Sequence, residues 1–373
     1  MIYLDYSATT PVNKDVLDTF NKVCLNYPGN ANSIHKLGIL SKELEENATK
    51  QIANLLNVDP SSVIYTSGSS ESNNLAINGV IKAYPNRGKH IITTRLEHSS
   101  ILEPLKELEK EGYKISYLKL NQDGTINLDN LKELLTDDTI LVTISSVSSE
   151  LGILQPIEEI ALLLKDYSRC FFHVDATQSI GKVNIDFSNV NLVSFSAHKF
   201  FGLKGIGCLI RNDVMLKPII AGGDSTTIYR SGTPALPLIV SLSKALRLAL
   251  ENLDDKYNYV KNLNNDLTNY LSSFEGIHIN STNKSIPHIL NFSIKGIKPE
   301  TMVHALEEHE IYLSTKSACS NSKKISVSVL ELTHNKDYAN SSIRISLSYL
   351  TTKEELDVFK KVFKDCCDRL RLK

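Results

Sequence analysis

A lysine between a histidine and two aromatics, at the end of a short apolar strand, has a chemistry of its own. In SFSAHKFFGLKG, the strand LVSFS (192–196) runs into a loop turning on Gly202 and Gly205, so Lys199 sits where a sheet hands its residues to a loop. An ammonium withdrawn from water loses basicity. The neutral amine is then a nucleophile toward carbonyls and forms Schiff bases. The alternative is a lysine snorkelling over the strand end. Asp175 ends a second apolar strand, CFFHVD, where a carboxylate either caps the following turn or faces a buried cation.

Taken together, the two residues suit pyridoxal phosphate, whose ring nitrogen needs an acid to hold it protonated while the ring accepts electrons. Gln178, three residues after Asp175, is placed for that ring's hydroxyl. TSGSSES (66–72) lies between a strand and a helix. Its backbone amides and the hydroxyls of Ser69 and Ser70 form an anion cradle suited to a phosphate, with Ser196 and His198 in support. His98, in RLEHSS, falls at another strand end, where a flat imidazole covers a flat ring and serves as acid or base, or is simply a satisfied polar residue. Arg344, in SSIRISLS, projects opposite Ile343 and Ile345, and its planar fork fits a substrate carboxylate, although unsupported it reads as an exposed strand arginine. Cys319, in the polar loop STKSACSNSKK, has lysines nearby that favour its thiolate.

The elements that must position these residues are legible as alternation. Strands are expected at 63–66, 90–94, 114–118, 139–147, 170–176, 192–196 and 207–211, most of them separated by helical stretches, which implies βαβ units and a mainly parallel seven-stranded sheet between helices. Before them come a short strand and turn over 2–12, a helix capped by Asn13 or Asp15 and ending near Tyr27, and an amphipathic helix over 38–57. Residues 237–273 read as one or two long helices interrupted near Asp254 and Asp255. Strands near 288–294 and 342–347, with helices near 299–309 and 352–370, suggest a smaller α+β domain. The expected division is a large cofactor domain over 16–253 and a small domain of 1–15 with 254–373. Loops at 338–342 and 317–324 are the expected mobile segments.

Bulk properties narrow the function classes. With 373 residues, 42% hydrophobic and 22% charged, the chain supports two or three domains and a sizeable core. A net charge of -1 with no basic cluster argues against nucleic acid as partner. The opening MIYLDYSATTP has neither a basic nor an apolar leader region, and no apolar run reaches the ~18 residues of a membrane span, so a cytoplasmic protein is expected. The six cysteines lack paired spacing, which fits reduced thiols rather than disulfides or a metal site.

In combination the segments LDYSATTP, GNANSIH, TSGSSESNN, EHSS, HVDATQSIGK, SFSAHKFFG, RSGT, SACSN and SSIRISL resemble, in order and over nearly the whole chain, the cysteine desulfurases, pyridoxal phosphate enzymes of the class V aminotransferase group with fold type I. The resemblance implies that Lys199 is the Schiff-base lysine, Asp175 the ring-nitrogen partner, His98 the stacking acid/base and Gln178 the ring-hydroxyl contact. Ser70, Ser196 and His198 are then phosphate ligands, with Thr233 reaching the phosphate from a second subunit of a homodimer. Arg344 and Asn30 would bind the carboxylate of L-cysteine. Cys319 would take the sulfur as a persulfide and pass it to an acceptor protein, for iron-sulfur cluster assembly or tRNA thiolation. The long interval between Cys319 and SSIR resembles the branch with an extended, mobile cysteine loop. Three departures stand out: Ser149 occupies the place of an asparagine that contacts cofactor and substrate, GGDSTTIYR replaces the usual GGGQE or GGGHE stretch, and Leu203 replaces a proline. The chain also ends at LRLK, without the scaffold-docking tail of some members. The competing expectations are a selenocysteine lyase or another class V lyase or transaminase, and a catalytically weak paralogue serving as a binding subunit.

Overall fold

The computed structural model describes residues 1–223, 227–315 and 325–371. A two-residue strand, β1 (Ile2–Tyr3), starts the chain. Seven apolar runs then form β2 (Val63–Thr66), β3 (His90–Thr93), β4 (Lys114–Tyr117), β5 (Thr139–Ser145), β6 (Phe171–Asp175), β7 (Leu192–Ser196) and β8 (Gly207–Arg211). These join into one sheet in the order β2-β8-β7-β6-β5-β3-β4. β8 is antiparallel to both its neighbours and every other pairing is parallel. Strands buried on both faces read as unbroken apolar runs, which is why they stand out in the sequence.

Helices cover both faces. One apolar cluster includes Ile52, Val142, Phe172, Val193 and Leu246, and the other includes Leu75, Val80, Ile91, Leu141 and Leu209. The helix Lys14–Asn26 is capped by the Asn13 side chain. The next helix, Lys36–Leu56, begins before Gly38 because the His35 imidazole accepts from Gly38 N and serves as its cap. The long helical stretch breaks at Asn252, in left-handed conformation, between Leu236–Leu250 and Leu253–Ser272. Asp254 and Asp255 therefore do not interrupt a helix. They occupy the first turn of the second one, where carboxylates favour the positive end of the helix dipole.

A second layer holds β9 (Ile277–Ile279), β10 (Ile289–Ile294), β11 (Ile311–Tyr312) and β12 (Ser342–Ser346). β10 pairs antiparallel with β9 and β12, while β11 pairs parallel with β1. Ile2 and Leu4 share an apolar cluster with Leu263, Phe292, Ile345 and Phe363, so the first residues of the chain pack with its last third. The expected loop at 338–342 is instead the end of a short helix, Lys336–Asn340, running into β12. Asn335 caps that helix, and the Tyr338 ring stacks on His278 at 4.0 Å. The other expected loop, 317–324, lies outside the described residues, and Cys319 with it. Among the described residues, no helix is long and apolar enough to cross a membrane.

Candidate active site

The parallel register aligns the carboxyl ends of β6 and β7, with Asp175 paired to Ser194. Asp175 is the last residue of β6, and Lys199 follows β7 in a single 3-10 turn, Ala197–Lys199. Ligands of open α/β sheets bind at such strand ends. The turn closes with Phe201 at φ 66, an uncommon conformation for an aromatic residue, and Gly202 N donating to Ala197 O.

Lys199 points inward rather than over the surface. Its Nζ donates to Ser7 O at 2.7 Å and to Ala8 O at 2.8 Å. Both carbonyls belong to LDYSATTP, so the segment after β1 acts as a wall of the site. Thr10 N and Oγ1 both donate to His198 O, and Phe201 N donates to Thr10 Oγ1, which ties that wall to the lysine turn.

A cavity of about 170 Å³ is lined by Lys199, Asp175, Gln178, His98, Ser69, Ser70, His198, Ser149 and Arg344, with Ser7 and Ala8. Residues spread over most of the sequence thus converge on one chamber. Ser196, His198 and Lys204 line an adjoining opening with Gly68, Ser69 and Ser70. Asn30 is exposed and lines neither space. Its Oδ1 accepts from Asn32 N at 3.0 Å. Thr233 lines a separate hollow beside Ser67, Gly205 and Arg230.

Asp175, 5% exposed, accepts from Asn73 Nδ2 at 2.8 Å and from Thr177 N at 2.9 Å. Gln178 Nε2 donates to Ser7 O at 2.9 Å, and its Oε1 accepts from Lys182 Nζ at 2.6 Å. Lys182 is itself buried. Burial first, then the charges of Lys199 and Arg344, depress its pKa from 10.5 to about 7. Because a carbonyl can only accept, Ser7 O fixes the Gln178 amide with its NH₂ on the Ser7 side of the cavity and its oxygen toward Lys182. His98 is shifted below its ordinary value by burial and by Lys199, against Asp175 and Glu150. Burial, with Lys199, Lys204 and Lys182, lowers His198 to about 4. Beside them Glu97 accepts from Thr94 Oγ1 and Ser145 Oγ, and burial raises it to about 7.

Arg344 is 1% exposed, not the solvent-facing arginine that its alternating strand alone would suggest. Nη2 donates to Asp5 Oδ1 at 2.9 Å and Nη1 to Ser149 O at 2.8 Å, while Nε is buried with no hydrogen-bond partner among the described residues. Burial raises Asp5 even against this arginine. A guanidinium held by one carboxylate, with a donor to spare at a cavity wall, is suited to a second carboxylate.

These features fit pyridoxal phosphate. The helix Ser69–Ala83 starts at Gly68 with no side-chain cap among the described residues, which leaves its first-turn amides to a phosphate. The one acid in that turn, Glu71, is diverted: it accepts from Ser67 N at 2.7 Å and from Arg230 Nε at 3.0 Å. Close backbone packing shapes the cradle. A Cβ on Gly207 would meet Gly68 Cα at 2.6 Å, so only glycine lets β8 approach this turn. Ser69, Ser70, Ser196 and His198 would hold the phosphate, Asp175 the ring nitrogen, Gln178 the ring hydroxyl and Lys199 the aldehyde carbon.

Four participants were not singled out from sequence. Asn73 and Lys182 lie inside quoted motifs, TSGSSESNN and HVDATQSIGK, but their roles depend on partners brought near by the fold. The Ser7 and Ala8 carbonyls carry no side-chain signal at all.

A lysine and an acid at adjacent ends of a parallel sheet, with an uncapped helix start nearby, define a fold type I pyridoxal phosphate enzyme. The chain belongs to the class-V aminotransferase family, whose model matches residues 2–359. Among its relatives, a NifS/IcsS protein homolog of Lactobacillus delbrueckii subsp. bulgaricus is 41% identical, covering 97% of this chain and 96% of the relative. The cysteine desulfurase IscS of Buchnera aphidicola subsp. Baizongia pistaciae is also 41% identical, covering 99% and 93%. Among solved structures, a NifS-like protein superposes with a TM-score of 0.93 at 33% identity, covering 98% of this chain and 99% of its own. SspA in complex with cysteine superposes with a TM-score of 0.83 at 29% identity, covering 94% and 100%.

Proposed function

We infer that the chain is a cysteine desulfurase, which releases L-alanine from L-cysteine and passes the sulfur on. The observation that carries this reading is one cavity holding Lys199, Asp175 and the buried Arg344, in a chain whose full-length relatives include cysteine desulfurases.

Pyridoxal phosphate, when bound, supplies an aldehyde carbon that condenses with amines and a ring that accepts an electron pair. The protein's own residues do the rest. Arg344 holds the substrate carboxylate, which orients the α-carbon toward Lys199. Lys199 Nζ, held between the Ser7 and Ala8 carbonyls, is the group placed to take the α-proton. Asp175, fixed by Asn73 and Thr177, keeps the ring nitrogen protonated. His98 would cover the ring, and Gln178 would donate toward its hydroxyl. Cys319, outside the described residues, would attack the substrate sulfur as thiolate, breaking the bond between that sulfur and the β-carbon; the sulfur stays on Cys319 as a persulfide, and the carbon keeps the electron pair and takes a proton, to leave as alanine.

Ser149 gives this site less amide chemistry than an asparagine would, because a hydroxyl cannot supply an amide's paired donor and acceptor. We also propose a homodimer in which Thr233 reaches the second subunit's phosphate and Asn30 contacts the substrate carboxylate. The sulfur acceptor is then a protein of iron-sulfur assembly, in keeping with the IscS relatives. The reading is tested by incubating the cofactor-loaded protein with L-cysteine and a thiol reductant. Equal amounts of alanine and sulfide are expected, and Cys319→Ser keeps the cofactor's colour but loses the sulfide. No alanine from the parent protein, or undiminished sulfide from Cys319→Ser, overturns it.

A further inference from the structure

Asn73 is fully buried, and its Nδ2 has two acceptors: Asp175 Oδ2 at 2.8 Å and Ser100 Oγ at 2.9 Å. An amide nitrogen has two hydrogens, so both are used. The reversed amide would set its oxygen against a carboxylate, which fixes the orientation. Ser100 Oγ therefore receives a hydrogen from Asn73, leaving its own for His98 Nδ1, 2.8 Å away.

The same imidazole nitrogen caps the helix Ser99–Lys110, accepting from Ser100 N at 3.1 Å. A backbone N–H only donates. Nδ1 must then be a bare acceptor, and in the neutral ring the hydrogen sits on Nε2. The helix start also opposes a positive charge at the ring. We propose that Ser100 and Asn73 are positioning residues that lock His98 as its neutral Nε2–H form, making it a hydrogen-bond donor over the site rather than its base. The Asn73 amide thus links the acid on the ring nitrogen to the imidazole covering the ring. In consequence the proton on the substrate's α-carbon goes to Lys199, because His98 has no lone pair free at Nε2.

The charged groups acting on His98 from other elements are Asp175 and Glu150, which favour the imidazolium, and Lys199, which opposes it. Glu103 and Glu107 of its own helix line the groove beside it. Burial outweighs the two acids and favours the neutral ring.

This inference rests on the proposed cofactor site, but its test separates the two. The full chain is labelled with ring-¹⁵N histidine and followed by solid-state NMR from pH 5 to 9, with and without pyridoxal phosphate; the His98 signals are those lost in His98→Gln. In the cofactor-free protein, a hydrogen-bonded acceptor-type Nδ1 and a protonated Nε2 are expected, with a titration midpoint below ~6.5. Ser100→Ala, which removes one donor to Nδ1, should raise that midpoint by about one unit. Ser100→Thr should restore it. A protonated Nδ1, or a midpoint unmoved in Ser100→Ala, overturns the proposal even if the cofactor binds. Failure to bind pyridoxal phosphate while the Nε2–H form is observed overturns the enzymatic reading and leaves the histidine assignment standing.

Discussion

Replacing Lys182 with methionine isolates a buried charge with a measurable pH signature. The residue is 7% exposed, and its amine has Gln178 Oε1 as acceptor. Folding lowers its pKa from 10.5 to about 7. Between those values the unfolded chain binds more protons than the folded one, so this lysine makes stability rise with pH through the window and level off above it. At 1.36 kcal/mol per unit the gap sets a ceiling of about 5 kcal/mol, and water penetration around a buried amine reduces it to about 2–4 kcal/mol. Methionine keeps the length and removes the titration. It also leaves Gln178 Oε1 without its donor, at a pH-independent cost of about 1–3 kcal/mol. Thermal midpoints of cofactor-free parent and Lys182→Met proteins, taken from pH 6.5 to 9.5, should therefore diverge. The parent gains on the variant by roughly 5 °C across the range, at about 2 °C per kcal/mol for a domain of this size. A difference between the two proteins that does not change with pH would refute the argument that Lys182 is buried as a largely neutral amine.

Two further outcomes follow from the same geometry. Arg344→Lys keeps a positive charge but loses the fork that spans Asp5 and the Ser149 carbonyl, so the KM for L-cysteine should rise about 10- to 100-fold with cofactor absorbance retained; steady-state kinetics beside a spectrum checks both halves. Gly207→Ala pushes a methyl group into Gly68, which should weaken pyridoxal phosphate binding at least about tenfold while leaving pyridoxal, which lacks the phosphate, nearly unaffected, as equilibrium titration would show.

Much of this is legible in the sequence, for physical reasons. β5, β6 and β7 announce themselves because a sheet buried on both faces needs unbroken apolar runs. Lys199 and Asp175 are legible because a charge at the end of such a run is costly without a use. Roles that depend on distant partners are not. Asn73 becomes significant only when folding brings it to Asp175, 102 residues away, and Arg344 reads as exposed until β12 is buried beside Asp5. The acids at 254 and 255 mislead because polar residues signal either a break or a helix start. Only the left-handed Asn252 decides between them. The lysine-to-glutamine contact behind the pH prediction is likewise silent in sequence, because an amide's orientation is set by whatever partners the fold supplies.

On this reading Lys199 is the amine that carries the cofactor. Borohydride reduction of the loaded protein, followed by proteolysis and mass spectrometry, fixes the cofactor wherever it is bound through an imine. One pyridoxyl-phosphate mass is expected, on the peptide containing Lys199, and none from Lys199→Ala. A stoichiometric label on Lys182 or any other lysine, with position 199 unmodified, would contradict it.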